Sequence, residues 1–214
     1  MSLFAIVAML IFGKKQFYGI ARHWGKHILY VSGVKLEITG REYLNPDESY
    51  IFCVNHSSMV DIPVALSAFK HDFRIIYKRE LRKIPVFGWC LGLSPYISIR
   101  RSNARDSMAG IDEAVETIKQ GASLVIYPEG TRSYDGKLGK FKRGAFLLAS
   151  RSGKKIVPVT FIGSPAVLPN KELLIRSGKI KVIISEPIEY QGTSKADEVK
   201  LMEEVHSIIE NNLT

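Results

Sequence analysis

Tyr50-Ile51-Phe52-Cys53-Val54 is an unbroken apolar run that stops abruptly at Asn55-His56-Ser57-Ser58-Met59-Val60-Asp61. The run reads as a buried strand, so a histidine and an aspartate five positions apart stand where a strand ends and a helix is about to begin. Open α/β sheets place their sites at strand ends. A carboxylate within reach of an imidazole fixes its tautomer and stabilises its protonated form, which makes the histidine a competent general base. Five residues of ideal helix rotate by about 140°, so the two cannot touch from mid-helix. They meet if His56 lies in the turn before the helix and Asp61 folds back from its first turn. Ser57 and Ser58 are the expected N-caps, and Pro63 is tolerated only near a helix start. The competing reading of the same residues is an ordinary helix N-terminus, with Asp61 complementing the dipole and His56 a bystander.

The rest of the chain repeats the strand-then-helix alternation. Residues 34–39 alternate as a half-buried strand does, and short strands are expected at 73–77, 96–99, 123–127, 155–161 and 179–185. Helices are expected at 62–69, 106–120, 143–152 and 197–210. In the second of these Met108, Ile111, Val115 and Ile118 share a face and Gly121 is the stop. This order predicts an α/β fold, a single domain with a central mixed, largely parallel sheet flanked by helices, and an N-terminal membrane-associating helical segment beside it. The expected division is residues 1–33 for that segment and 34–214 for the catalytic domain.

The segment is expected from charge and hydropathy. Residues 1–12 are almost wholly apolar, and residues 1–36 hold five Lys or Arg and no acid. A dozen residues cannot span a bilayer, which needs about 20. Lys14 and Lys15 follow the apolar run, whereas a signal peptide carries its charges before it. An in-plane or shallowly inserted helix fits, with aromatic residues at the lipid–water interface and cations toward an anionic leaflet. A helical hairpin packed on the protein's own core fits the same residues. The net charge of +9 raises nucleic acid as a partner, but the chain has no helix-turn-helix, RNP-type strand or zinc-finger signature, so none is expected. Cys53 and Cys90 sit in apolar surroundings and read as reduced thiols, and with no clustered His/Cys spacing no metal is expected.

A second strand end carries chemistry. The strand at 123–127 runs into Pro128-Glu129-Gly130-Thr131-Arg132-Ser133. Gly130 permits close approach to the backbone, Thr131 offers a hydroxyl and Arg132 a planar fork suited to phosphate. Lys142 follows close to a helix start, where backbone N–H groups also favour anions. Arg101, at the end of the 96–99 strand, is a further phosphate contact. Residues 78–83 are strongly basic and pass into an apolar, aromatic stretch through Trp89 and Leu93, a pattern that suits an amphiphile or an ordinary surface helix.

The succession N-H-x4-D, K-x-E-L-x-x-I-P-x-x-G, I-x-I-x-R, Y-P-E-G-T-R-S and F-K-x-G, followed by Val157-Pro158-Val159, resembles the glycerolipid acyltransferase family over roughly residues 50–165. Within it the chain is most similar to the 1-acyl-glycerol-3-phosphate, or lysophosphatidic acid, acyltransferases. The resemblance implies transfer of a fatty acyl group from an acyl thioester to the sn-2 hydroxyl of 1-acyl-glycerol-3-phosphate, giving phosphatidic acid for phospholipid biosynthesis. It implies no cofactor, with acyl-coenzyme A or acyl carrier protein as donor, and a place on the cytoplasmic face of the inner membrane. His56 and Asp61 become the catalytic pair; Glu129, Gly130, Thr131, Arg132, Arg101 and Lys142 become the acceptor site. Members often carry an acid where this chain has Arg100. Paired arginines there are found in relatives that acylate glycerol-3-phosphate or dihydroxyacetone phosphate, so those acceptors stay open. A thioesterase and a non-catalytic lipid-binding protein are the readings from other classes.

Overall fold

The computed structural model describes residues 14–100, 104–133, 136–192 and 194–214. The segment at residues 1–12 and Arg101 lie outside the described residues.

The elements run α1 (Lys14–Val31), β1 (Val34–Thr39), β2 (Ile51–Val54), α2 (Asp61–Ala68), β3 (Phe73–Lys78), a 3-10 helix (Arg79–Lys83), α3 (Phe87–Leu93), β4 (Ile97–Ile99), α4 (Ala104–Lys119), β5 (Ser123–Ile126), α5 (Gly144–Ser152), β6 (Ile156–Ile162), α6 (Ser164–Val167), β7 (Gly178–Ile184) and α7 (Lys195–Leu213). The strands form one seven-stranded sheet in the order β1-β7-β6-β2-β5-β3-β4. All neighbours pair in parallel except β6 and β7. The expected mixed, largely parallel sheet between helices is what forms.

The unbroken apolar run of β2 follows from its position. Parallel strands at the centre of such a sheet are buried on both faces and have no need of polar alternation. Phe52 and Val54 face a core shared with α1 and α2, while Ile51 and Cys53 face the one built by α4, α5 and α7. Burial raises the Cys53 thiol well above the ordinary range, so it stays protonated. Cys53 and Cys90 are free cysteines.

α1 packs on the protein's own core, the alternative that the spacing of its apolar residues left open. Phe17 and Leu29 are buried, and Trp24 packs partly buried against the same cluster. The approach to α2 is close enough that a Cβ at Gly25 would lie 2.9 Å from the Leu66 Cβ. Residues 14–31 therefore pack with the catalytic domain. Among the described residues no helix is long and apolar enough to cross a membrane.

The stretch after the basic residues, which suits an amphiphile or a surface helix, is a short helix, α3. Within the helix only Gly88 is buried, where a Cβ would lie 2.2 Å from the Arg82 carbonyl oxygen.

Candidate active site

Parallel strands deliver their C-terminal ends to one edge of the sheet, and β2 and β5 lie side by side at its centre. The turn after β2 carries His56 and the turn after β5 carries Glu129 to Arg132, so two segments more than 70 residues apart in sequence meet at one place.

His56 occupies the turn and Asp61 is the first residue of α2, the arrangement their spacing requires. The His56 Nδ1 lies 2.8 Å from the Asp61 Oδ2. That same oxygen accepts the backbone N–H groups of Ser57 and Ser58, each at 2.9 Å. Asp61 is fully buried at a helix N-terminus, where the dipole favours negative charge. A carboxylate so held accepts a hydrogen bond from Nδ1–H and so favours the tautomer whose Nε2 lone pair is free. The imidazole stacks on Tyr127, ring centroids 4.1 Å apart and 25° from parallel. Burial drives the Tyr127 phenol well above its usual range, so the partner ring is neutral.

The serines are not the expected caps. α2 has Val60 at its N-cap and no side-chain cap bond. Asp61 has already collected the two serine N–H groups, and the Ser58 hydroxyl donates to the Leu168 carbonyl at 2.7 Å.

Glu129, expected to shape the acceptor pocket, lines the cleft at this place, and its carboxylate binds backbone N–H groups. Its Oε1 accepts the His56 N–H at 2.7 Å and its Oε2 accepts the Gly139 N–H at 3.0 Å. Burial pushes the Glu129 carboxyl up, and those two N–H bonds oppose the shift. It ties the backbone of the histidine to the loop that follows Arg132. Gly130 has φ +74, and a Cβ there would meet the Lys142 Nζ at 2.7 Å. Only glycine fits both constraints. Lys142 is thus brought against the turn, and its N–H donates to the Pro128 carbonyl at 2.8 Å. Thr131 is exposed and Arg132 half-buried beside it. The neighbouring Arg143 is already engaged, 3.1 Å from the Glu198 carboxylate.

Two asparagines complete the frame. Asn55 donates to the Phe161 carbonyl at 3.0 Å and accepts the Phe161 N–H at 2.7 Å, locking the end of β2 to β6. Asn170 donates to the Ser133 carbonyl at 2.7 Å and to the Ser57 carbonyl at 3.3 Å, clasping the two turns together. The Ser133 N–H also reaches the His56 carbonyl at 2.8 Å. Asn55 stands inside the N-H-x4-D motif and could have been suspected. Nothing near Asn170 in sequence signals that it belongs here. Where the turns meet, a narrow cleft with about 160 Å³ of empty space is lined by His56, Ser57, Glu129, Ser133, Lys137 and Leu138 among others. Among the described residues no three His, Cys, Asp or Glu side chains gather as metal ligands would.

Asn170→Asp tests the clasp, since a carboxylate cannot donate to two carbonyl oxygens. Two lost hydrogen bonds are worth about 2 kcal/mol, a fall of roughly 4–8 °C in Tm for a domain of this size. Thermal unfolding followed by circular dichroism should show that fall, and acceptor KM should rise with it.

Residues 35–162 match the family described as Acyltransferase. The chain belongs to that family. The acyltransferase is 34% identical over 206 residues to the chloroplastic 1-acyl-sn-glycerol-3-phosphate acyltransferase of Arabidopsis thaliana, a match covering 91% of this chain and 56% of that protein. It is 30% identical over 185 residues to the human 1-acyl-sn-glycerol-3-phosphate acyltransferase alpha, covering 86% of this chain and 65% of that one. The chain thus spans just over half the length of the plant relative. The crystal structure of PlsC, the 1-acyl-sn-glycerophosphate (LPA) acyltransferase from Thermotoga maritima, superposes with a TM-score of 0.81 at 26% identity, over 98% of this chain and 85% of that one. In the acyltransferase the His56 imidazole has a buried carboxylate behind it and lies near a turn that carries Arg132 and Lys142.

Proposed function

We propose that the protein transfers a fatty acyl group from an acyl thioester to the sn-2 hydroxyl of 1-acyl-glycerol-3-phosphate, producing phosphatidic acid. The observation that carries the reading is the 2.8 Å contact between the His56 Nδ1 and Asp61, which leaves Nε2 to act on a substrate. Nε2 takes the hydroxyl proton as the hydroxyl oxygen attacks the thioester carbonyl. The tetrahedral intermediate collapses, the carbon–sulfur bond breaks, and the imidazolium returns the proton to the departing thiolate. A protein nucleophile is unnecessary. Ser57 and Ser58 are buried and belong to no G-x-S-x-G elbow.

The acceptor phosphate is held by Arg132 with Lys142, which Gly130 admits to the same turn, and by Arg101. Thr131 and Gly130 line that position. The donor is acyl-coenzyme A or acyl carrier protein, both anionic and suited to a basic surface. The protein works as a monotopic or peripheral protein on the cytoplasmic face of the inner membrane, with the apolar residues 1–12 as its anchor. Arg100, the residue that raises glycerol-3-phosphate as an alternative acceptor, already faces Asp106 at 3.7 Å, which supports the lysophosphatidic acid reading.

Arg132→Ala should lower acceptor kcat/KM while leaving donor KM in place. A charged hydrogen bond to phosphate is worth roughly 1.5–3 kcal/mol, or about 10- to 150-fold. Profiling lysophosphatidic acid against glycerol-3-phosphate and lysophosphatidylcholine tests the acceptor. The reading predicts preference for the first, and equal use of lysophosphatidylcholine would remove the phosphate site from it.

A further inference from the structure

The hydrogen bond between His56 and Asp61 fixes one corner of the imidazole but not its plane. A ring held at Nδ1 alone can still turn about that bond, and Nε2 then points elsewhere. Catalysis asks for more, since a misplacement of about 1 Å can cost about 100-fold in rate. The two backbone bonds of residue 56, to Glu129 and Ser133, hold the main chain and leave the plane of the ring open. Among the described residues the one ring against the imidazole is that of Tyr127. Its centroid lies 4.1 Å away, with the two planes 25° from parallel.

Tyr127 is itself held in place. It follows β5 directly, and its carbonyl accepts the Gly130 N–H at 2.9 Å. Its ring packs against the core cluster shared with α1 and α2. The surface beneath the imidazole thus opens the same turn that carries Gly130 and Arg132 and against which Lys142 lies. The Tyr127 hydroxyl is buried and makes no hydrogen bond to a described residue. No contact of the described fold therefore depends on that oxygen, and the flat face of the ring is what the site uses.

We propose that Tyr127 is a positioning residue for the general base, its ring the platform that sets the plane of the His56 imidazole and aims Nε2 into the cleft beside the acceptor turn. The platform also favours the protonated imidazole. When Nε2 takes the acceptor's proton, a cation lies over the face of a neutral ring, well inside the ~6 Å over which that attraction acts. The attraction is absent while the imidazole is neutral, so it lowers the transition state relative to the ground state. Tyr127 neither gives nor takes a proton in the step, because burial keeps its phenol protonated. The inference rests on the reading of His56 as the base that acts on the acceptor hydroxyl, and Tyr127 acts through His56 without touching substrate.

Two variants of the full-length chain carry the test. Tyr127→Phe keeps the flat face, and Tyr127→Leu replaces it with a rounded aliphatic side chain. Tyr127→Leu should lower kcat about 10- to 100-fold. Its acceptor and donor KM should stay within about twofold of wild type, the pattern of an interaction made in the transition state. Tyr127→Phe should keep kcat within about twofold, since the lost hydroxyl strands no bonded partner. NMR of histidine-labelled protein reads the platform itself, because protons of a ring stacked on a phenol are displaced upfield. The His56 signals are picked out from those of the five histidines by their loss in His56→Ala. The displacement should be present in wild type and Tyr127→Phe and absent in Tyr127→Leu. Undisplaced His56 protons in wild type overturn the platform, a reading that stands even if Tyr127→Leu does not fold. A folded Tyr127→Leu with kcat near wild type overturns it too. So does a large loss of kcat in Tyr127→Phe, which would assign the role to the hydroxyl. A wild type that releases no thiol in response to lysophosphatidic acid contradicts the acyl-transfer reading itself, a pattern distinct from all of these.

Discussion

His56→Ala is expected to lower kcat by about 10²- to 10⁴-fold, the usual contribution of a positioned general base, and to leave the fold standing. The structure separates the two effects. The backbone of residue 56 does the structural work, its N–H to Glu129 and its carbonyl to the Ser133 N–H, and alanine keeps both. The side chain contributes a ring that is 18% exposed and stacked on Tyr127, so its removal costs some packing but none of the backbone bonds. Without it Asp61 still holds the N–H groups of Ser57 and Ser58. Steady-state acyl transfer with a parallel thermal melt decides the matter. Activity near wild type would remove His56 from the role of base, and a collapsed melt would make it a structural residue.

The second large effect belongs to Asp61, where two substitutions should behave differently. Asp61→Asn leaves a neutral amide oxygen where the charged Oδ2 now meets Nδ1 and both serine N–H groups, so the three bonds are kept while the charge that stabilises the imidazolium is lost. The same Asp→Asn change in a Ser-His-Asp triad costs about 10⁴-fold in kcat, and a large loss is expected here from the missing charge, with Tm changed by only a few degrees. Asp61→Ala should lose activity and fold together. It strands two buried N–H groups at about 1–3 kcal/mol each, in a protein whose whole stability is of order 5–15 kcal/mol. Equal melts for the two variants would show that Asp61 is not the keystone of this turn.

Local geometry explains how much of this was legible beforehand. The His56–Asp61 contact spans five residues, so strand, turn and helix start together nearly dictate it. The β2 run announced its strand because burial on both faces removes polar alternation. The ambiguity in α1 was real, since Phe17, Trp24 and Leu29 would suit a lipid interface as well as the core they enter. α3 was only one of two readings of its stretch because Phe-Gly-Trp-Cys-Leu-Gly-Leu has two glycines in seven residues and little polar contrast. The tie that Glu129 makes between His56 and Gly139 was not legible, because its partners are backbone N–H groups, which no side-chain pattern can reveal. The Asn170 clasp joins Ser57 across 113 positions, a relation that exists only once the sheet has brought two strand ends together.

The most direct test of the account is thiol release from a defined acyl thioester by the purified protein, with and without lysophosphatidic acid. Release that depends on the acceptor, with phosphatidic acid formed in equal amount and both lost in His56→Ala, is the predicted result. Release at the same rate without acceptor would make the protein a hydrolase, no release under either condition would make it a binder, and either outcome contradicts acyl transfer.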